Sequence, residues 1–132
     1  MEELDEVAQL LYGPGELMEG SAMSNDDAIA YARQRSHRAP YCVVRDWIWV
    51  ELEMTEAQRS VLVQSGRQPA LIYAHSVVFD SARRFDVGDF VRTSPLVAFE
   101  EGFLFRTGNS IYILLGEGLR KRAKSETVGR IA

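Results

Sequence analysis

The sequence predicts an α+β domain, with N-terminal helices packed on a mostly antiparallel sheet of four or five strands. Three observations lead there. Helical periodicity is confined to the first third of the chain, strict two-residue alternation begins at Tyr41, and a hairpin signature lies near residue 108. Runs of helices followed by runs of strands point to α+β rather than to an alternating parallel fold.

Each element has a local cause. Leu4, Val7, Leu10 and Leu11 recur at helical spacing over Glu2 to Tyr12, and Gly13-Pro14-Gly15 ends the run. Ser24 is placed to cap a second helix, Asn25 to Arg35, with Asp26 and Asp27 in its first turn and arginines at its end. From Tyr41 to Met54 the residues alternate, which assigns Cys42, Val44, Ile48, Val50 and Leu52 to a core face and Trp47 and Trp49 to the other. Asp46 is the one polar residue on the apolar side. Thr55-Glu56-Ala57-Gln58 is a capping box that opens a short helix, with Gly66 in the closing position. Strands are expected at Ala70–Phe79 and Asp89–Thr93. A hairpin is expected where Phe103–Arg106 and Ser110–Leu115 flank Thr107-Gly108-Asn109.

A chain of 132 residues is the size of one domain, and the reading is a single unit over 1–132. Within it, residues 1–23 form a loosely attached acidic helix, and 117–132 a basic tail expected to fray. The charge is uneven. Residues 1–32 hold eight acids and neither lysine nor arginine, whereas 116–132 hold five bases and two acids. The overall charge is -4.

Composition narrows the function classes. One cysteine, Cys42, excludes an internal disulfide and favours a reducing, cytoplasmic setting. The acidic opening Met1-Glu2-Glu3-Leu4-Asp5-Glu6 is unlike a signal peptide, and no apolar run has the length of a membrane span. Two histidines without paired spacing predict no metal site, and no phosphate-binding glycine motif predicts a cofactor. Cys42, His75 and Asp46 or Asp80 supply the residue types of a thiol hydrolase, but only convergence in space would make them one.

Binding classes remain. Glu2, Glu3, Asp5 and Glu6 could meet a basic protein surface, with Trp47 and Trp49 as aromatic contacts. Alternatively, Arg33, Arg35 and Arg38 with Arg120, Lys121, Arg122 and Lys124 could hold nucleic-acid phosphates. The acidic balance weighs against that alternative. An exposed edge near the C-terminal hairpin would permit a homodimer.

Three segments carry a resemblance: Pro40-Tyr41-Cys42-Val43-Val44-Arg45-Asp46-Trp47, Asp86 to Val97, and Gly102-Phe103-Leu104-Phe105 running into the basic tail. Over roughly residues 24–124 the chain resembles a family of small uncharacterised proteins of Pseudomonas and related proteobacteria, prophages included. The resemblance implies a bacterial or phage setting and carries no activity and no catalytic residue. The expectation is a non-enzymatic interaction module, phage-related, that binds or inhibits a host protein.

Overall fold

One strand, β2 (Tyr41–Glu53), organises the molecule, because it pairs directly with three others and the rest of the sheet is built outward from those. The computed structural model describes residues 2–35 and 39–131, with the side chains of residues 2–4 left out. In chain order the remaining elements are α1 (Glu2–Tyr12), β1 (Glu16–Glu19), α2 (Asn25–Arg35), α3 (Glu56–Gln64), β3 (Ala70–Asp80) and β4 (Val91–Arg92). They continue with β5 (Ala98–Glu100), β6 (Leu104–Arg106), β7 (Ile111–Leu114), β8 (Glu117–Lys124) and α4 (Ser125–Gly129).

The expected four- or five-stranded, mostly antiparallel sheet is corrected to one mixed sheet of eight strands, curled into a half-barrel with few helices. β2 pairs β3 antiparallel along one edge. Its other edge is shared by two parallel partners: β7 along Tyr41–Val44 and β8 along Ile48–Glu53. β1 adds to β8, and β6 and β5 add to β7. Beyond β4 the chain stays on β3 through Thr93 and Leu96, whose N–H groups donate to the Ile72 and Ala70 carbonyls at 2.9 and 2.8 Å. Val97 then donates to the Arg106 carbonyl at 2.7 Å, which carries the chain over to β6 and bends the sheet round.

The basic tail is a second correction. Residues 117–124, read as fraying, form β8, hydrogen-bonded between β1 and β2. Non-local pairing here overrides the polar look of Glu-Gly-Leu-Arg-Lys-Arg-Ala-Lys.

Asp46 sets which side chains face inward. Between its two parallel stretches β2 spans three residues, from Arg45 to Trp47, while the neighbouring chain spans four, from Leu115 to Gly118. Asp46 at φ 53° and Gly116 at φ 70° lie in this mismatch, in the left-handed region. The alternation slips there. Cys42 and Val44 face the concave core before it, and Trp47 faces the same core after it, together with Ile72, Phe105 and Leu114. The sequence reading, which gave Trp47 and Cys42 opposite faces, is therefore corrected: Trp47 is 1% exposed, and its indole Nε1 donates to the Leu115 carbonyl at 3.1 Å.

The convex face is covered in two patches. α2 places Ala28 and Ala32 on Tyr41 and Val43, over the first half of β2. α1 and α4 place Leu10 and Val128 on Ile48, Val50 and Leu52, over the second half. α3 buries no residue. It is held by its ends: Thr55 and Gln58 form the reciprocal capping box, and Gly66 at φ 81° closes the helix.

Candidate functional site

The candidate site begins with how α1 is held. α1 has no basic residue in its own last turn, so its terminal carbonyls lack a local cation. Lys121 of β8 supplies one from across the fold: its Nζ donates to the Leu10 and Gly13 carbonyls at 2.8 and 2.7 Å. Burial draws the Lys121 ammonium below its ordinary pKa. At the other end of the seam, Glu6 accepts from Thr127 Oγ1 at 3.1 Å and lies 3.9 Å from Lys124 Nζ. The acidic helix thus rests on the basic strand, and the two uneven ends of the sequence face each other.

This docking sets Tyr12 over β3 and creates an aromatic ladder. Phe90 stacks on Tyr73 at 5.7 Å, Tyr73 meets His75 edge-on at 5.0 Å, and His75 stacks on Tyr12 at 5.6 Å. His75 Nε2 lies 3.0 Å from the Leu11 carbonyl, which can only accept, so this nitrogen carries the proton. The ladder ends in solvent. Tyr12 is 78% exposed, Leu17 60% and Phe90 47%.

Next to the ladder a cavity of about 290 Å³ opens among α1, β1, β2 and β8. Its apolar walls include Leu11, Tyr12, Leu17, Ile48 and Leu119, and Asp46 and Glu117 stand beside them. Among the described residues no lysine or arginine lines it. Glu19 lies directly opposite Glu117 in the β1–β8 register, a like-charge pair that cross-strand electrostatics disfavours. Among the described residues neither carboxylate has an ion-pair partner. The arrangement presents an apolar floor with an acidic rim.

The sequence-derived site residues are distributed differently. Glu2 and Glu3 lie outside the described side chains, and Arg38 outside the described residues. Asp5 and Glu6 line a separate cavity of about 510 Å³ between α1 and β8. Trp47 is in the core, and Trp49 is half-buried, edge-on to Phe99 and Phe105 at 4.9 and 5.2 Å. Arg33 is exposed on α2, and Arg35 pairs with Glu101 at 3.1 Å. Arg120 and Arg122 both reach Glu51, while Lys121 and Lys124 turn to α1. The two basic groups sit over opposite halves of β2 and do not form one stripe.

The thiol and imidazole do not meet either. Cys42 lies opposite Asp80 in the β2–β3 register, five residues from His75 on β3, or about 16 Å along an extended strand. Burial, reinforced by the Asp80 charge, pushes the Cys42 thiol up to about 12, so it is no thiolate near neutral pH. Asp80 is instead the partner of Arg84, whose Nε and Nη2 donate to it at 3.1 and 2.8 Å, while Nη1 donates to Ser110 Oγ at 2.6 Å. Among the described residues no group of three His, Cys, Asp or Glu side chains could hold a metal ion, and no helix is long and apolar enough to cross a membrane.

Tyr12, Leu17 and Glu117 went unsuspected in the sequence. Tyr12 carried one signal, as the last residue before a hard helix stop, where an aromatic ring is free to project. Asp46 carried another, as a charge breaking an apolar alternation.

A family model described as a domain of unknown function, DUF6957, matches residues 19–130. No curated protein and no solved structure gives a match.

Proposed function

The chain belongs to the DUF6957 family, a membership that brings no activity with it, and we propose that the protein works by binding another protein. In this reading it is a non-enzymatic interaction module, and the acid-rimmed face around Tyr12, Leu17 and His75 receives a segment of the partner that is apolar and basic. One observation carries the proposal: large apolar side chains are exposed beside a preformed cavity whose charged lining residues, Asp46 and Glu117, are both acidic. Aromatic and aliphatic anchors in a pocket are the usual centre of a protein interface. A rim of one sign steers a partner of the other sign. β1 adds a further feature, since it ends the sheet and leaves one backbone edge for an incoming strand.

The acidic contribution expected from the sequence is relocated by this reading. Glu6 is engaged with α4 and β8, so the acids offered to a partner are Asp46, Glu117 and Glu19. A prophage origin, a host protein as target and a reducing cytoplasmic setting belong to the same proposal. They are supported only by the resemblance and by the lone Cys42 thiol.

The test is affinity purification from the native host with the whole chain as bait, beside a Tyr12→Ser/Leu17→Ser variant of matched melting temperature. The expected result is a protein retained by the first bait, absent from the second, and released as salt rises from about 0.1 to about 1 M. Equal recovery on both baits removes this face from the function.

A further inference from the structure

A third cleft lies where α3 and the segment after it meet the ends of β2 and β8. It encloses about 570 Å³, within the range of small-molecule sites. Three guanidinium groups line it: Arg59 from α3, and Arg120 and Arg122 from β8. The parallel register puts Arg120 beside Trp49 and Arg122 beside Glu51. Trp49, Met54 and Pro69 provide apolar wall.

Glu51 acts as a shared anchor. Its Oε1 accepts from Arg120 Nε at 2.6 Å, and its Oε2 lies 3.6 Å from Arg122. One carboxylate thus orients two guanidinium groups, each with five N–H donors, and leaves most of those donors unspent. Arg59 has no side-chain bond among the described residues. α3 itself contributes nothing to the core, yet both its ends are closed by capping interactions. What α3 does contribute is a cation to the cleft that Trp49 also lines.

We infer that this cleft binds a small phosphate ester bearing a planar ring, of the nucleotide class, with the phosphate on Arg59 and Arg122 and the ring against Trp49. Guanidinium forks match the geometry of phosphate oxygens, and an indole is a stacking surface for a base. A long polyanion is disfavoured, because the whole chain carries a charge of -4 and Glu53 stands at the same cleft.

The test uses the intact protein with adenosine 5′-monophosphate as probe, read by tryptophan fluorescence. Trp47 is buried and gives a constant background, so the signal reports Trp49. A saturable change below about 1 mM is expected, weakened roughly tenfold by Arg59→Ala or Arg122→Ala. Both side chains are exposed, and the melting temperatures of the two variants should match the wild type. No saturable change with the nucleotide, together with no rise in melting temperature in inorganic phosphate, overturns the proposal. Binding undiminished in both variants also overturns it. Inorganic phosphate binding as tightly as the nucleotide removes the ring contact. A single-stranded oligonucleotide binding more than about tenfold tighter replaces the small ligand with a strand.

Discussion

Gly118 lies against the face of Trp47 so closely that a Cβ added to the glycine would fall inside the indole ring's van der Waals shell. The buried indole is fixed in place by the bond its Nε1 donates to the Leu115 carbonyl. Gly118→Ala is therefore expected to destabilise the fold by about 1–3 kcal/mol, the usual cost of forcing extra volume into a packed core. Urea unfolding should show a lower midpoint with an unchanged slope. Pairing it with Trp47→Leu should be less than additive, because the smaller side chain removes the clash.

Lys121 is the cation at the end of α1, and Lys121→Met keeps much of its length while removing its donors. About 1 kcal/mol should be lost, concentrated in that helix. Hydrogen exchange should speed up across residues 5–12 and stay unchanged in the middle of β2. Lys124→Met, which removes only an exposed contact to Glu6, should leave exchange nearly unaltered.

The Asp80–Arg84 pair predicts a pH dependence. Burial pushes the Asp80 carboxyl up, but bonds from the Arg84 side chain and backbone outweigh it and hold the carboxyl below its ordinary 3.8. A carboxylate with a depressed folded pKa stabilises fully above the unfolded value, and that stability is lost as pH falls through the folded value. The urea midpoint should therefore decline on acidification below about pH 4. Asp80→Asn should flatten that decline and lower the midpoint at neutral pH, since Arg84 would then face a neutral group.

Cys42 should be inert while the protein is folded. With the thiol pushed up to about 12 by burial and by Asp80, a thiol reagent at pH 8 should find neither access nor thiolate. Labelling should appear only with denaturant and follow the unfolding curve. Rapid labelling of the native protein would restore a nucleophilic role.

Local chemistry made part of this architecture readable. The capping box at Thr55 and Gln58, the glycine after α3 and the periodicity of α1 and α2 all depend on neighbours in the chain, and all are present as the sequence suggests. β1 and β5 were missed because three or four residues are too few to display an alternation. β8 was missed because its cations answer partners far away in the chain, Glu51 and the end of α1. The faces of Trp47 and Trp49 were misassigned for a single reason: Asp46 adopts a left-handed backbone, and alternation counted across it changes sides. The candidate face was illegible because Tyr12, Leu17, His75 and Glu117 come from four elements that only the closed sheet brings together.

β8 follows every other strand in the chain, yet it lies between β1 and β2, which precede it by many residues. During synthesis, half of β2 must wait with unpaired amides until the final strand leaves the ribosome. Closure then depends on contacts of long sequence separation, which slows folding. A nascent or clipped chain stopping short of Glu117 would offer two open edges, and such edges invite pairing between molecules rather than within one.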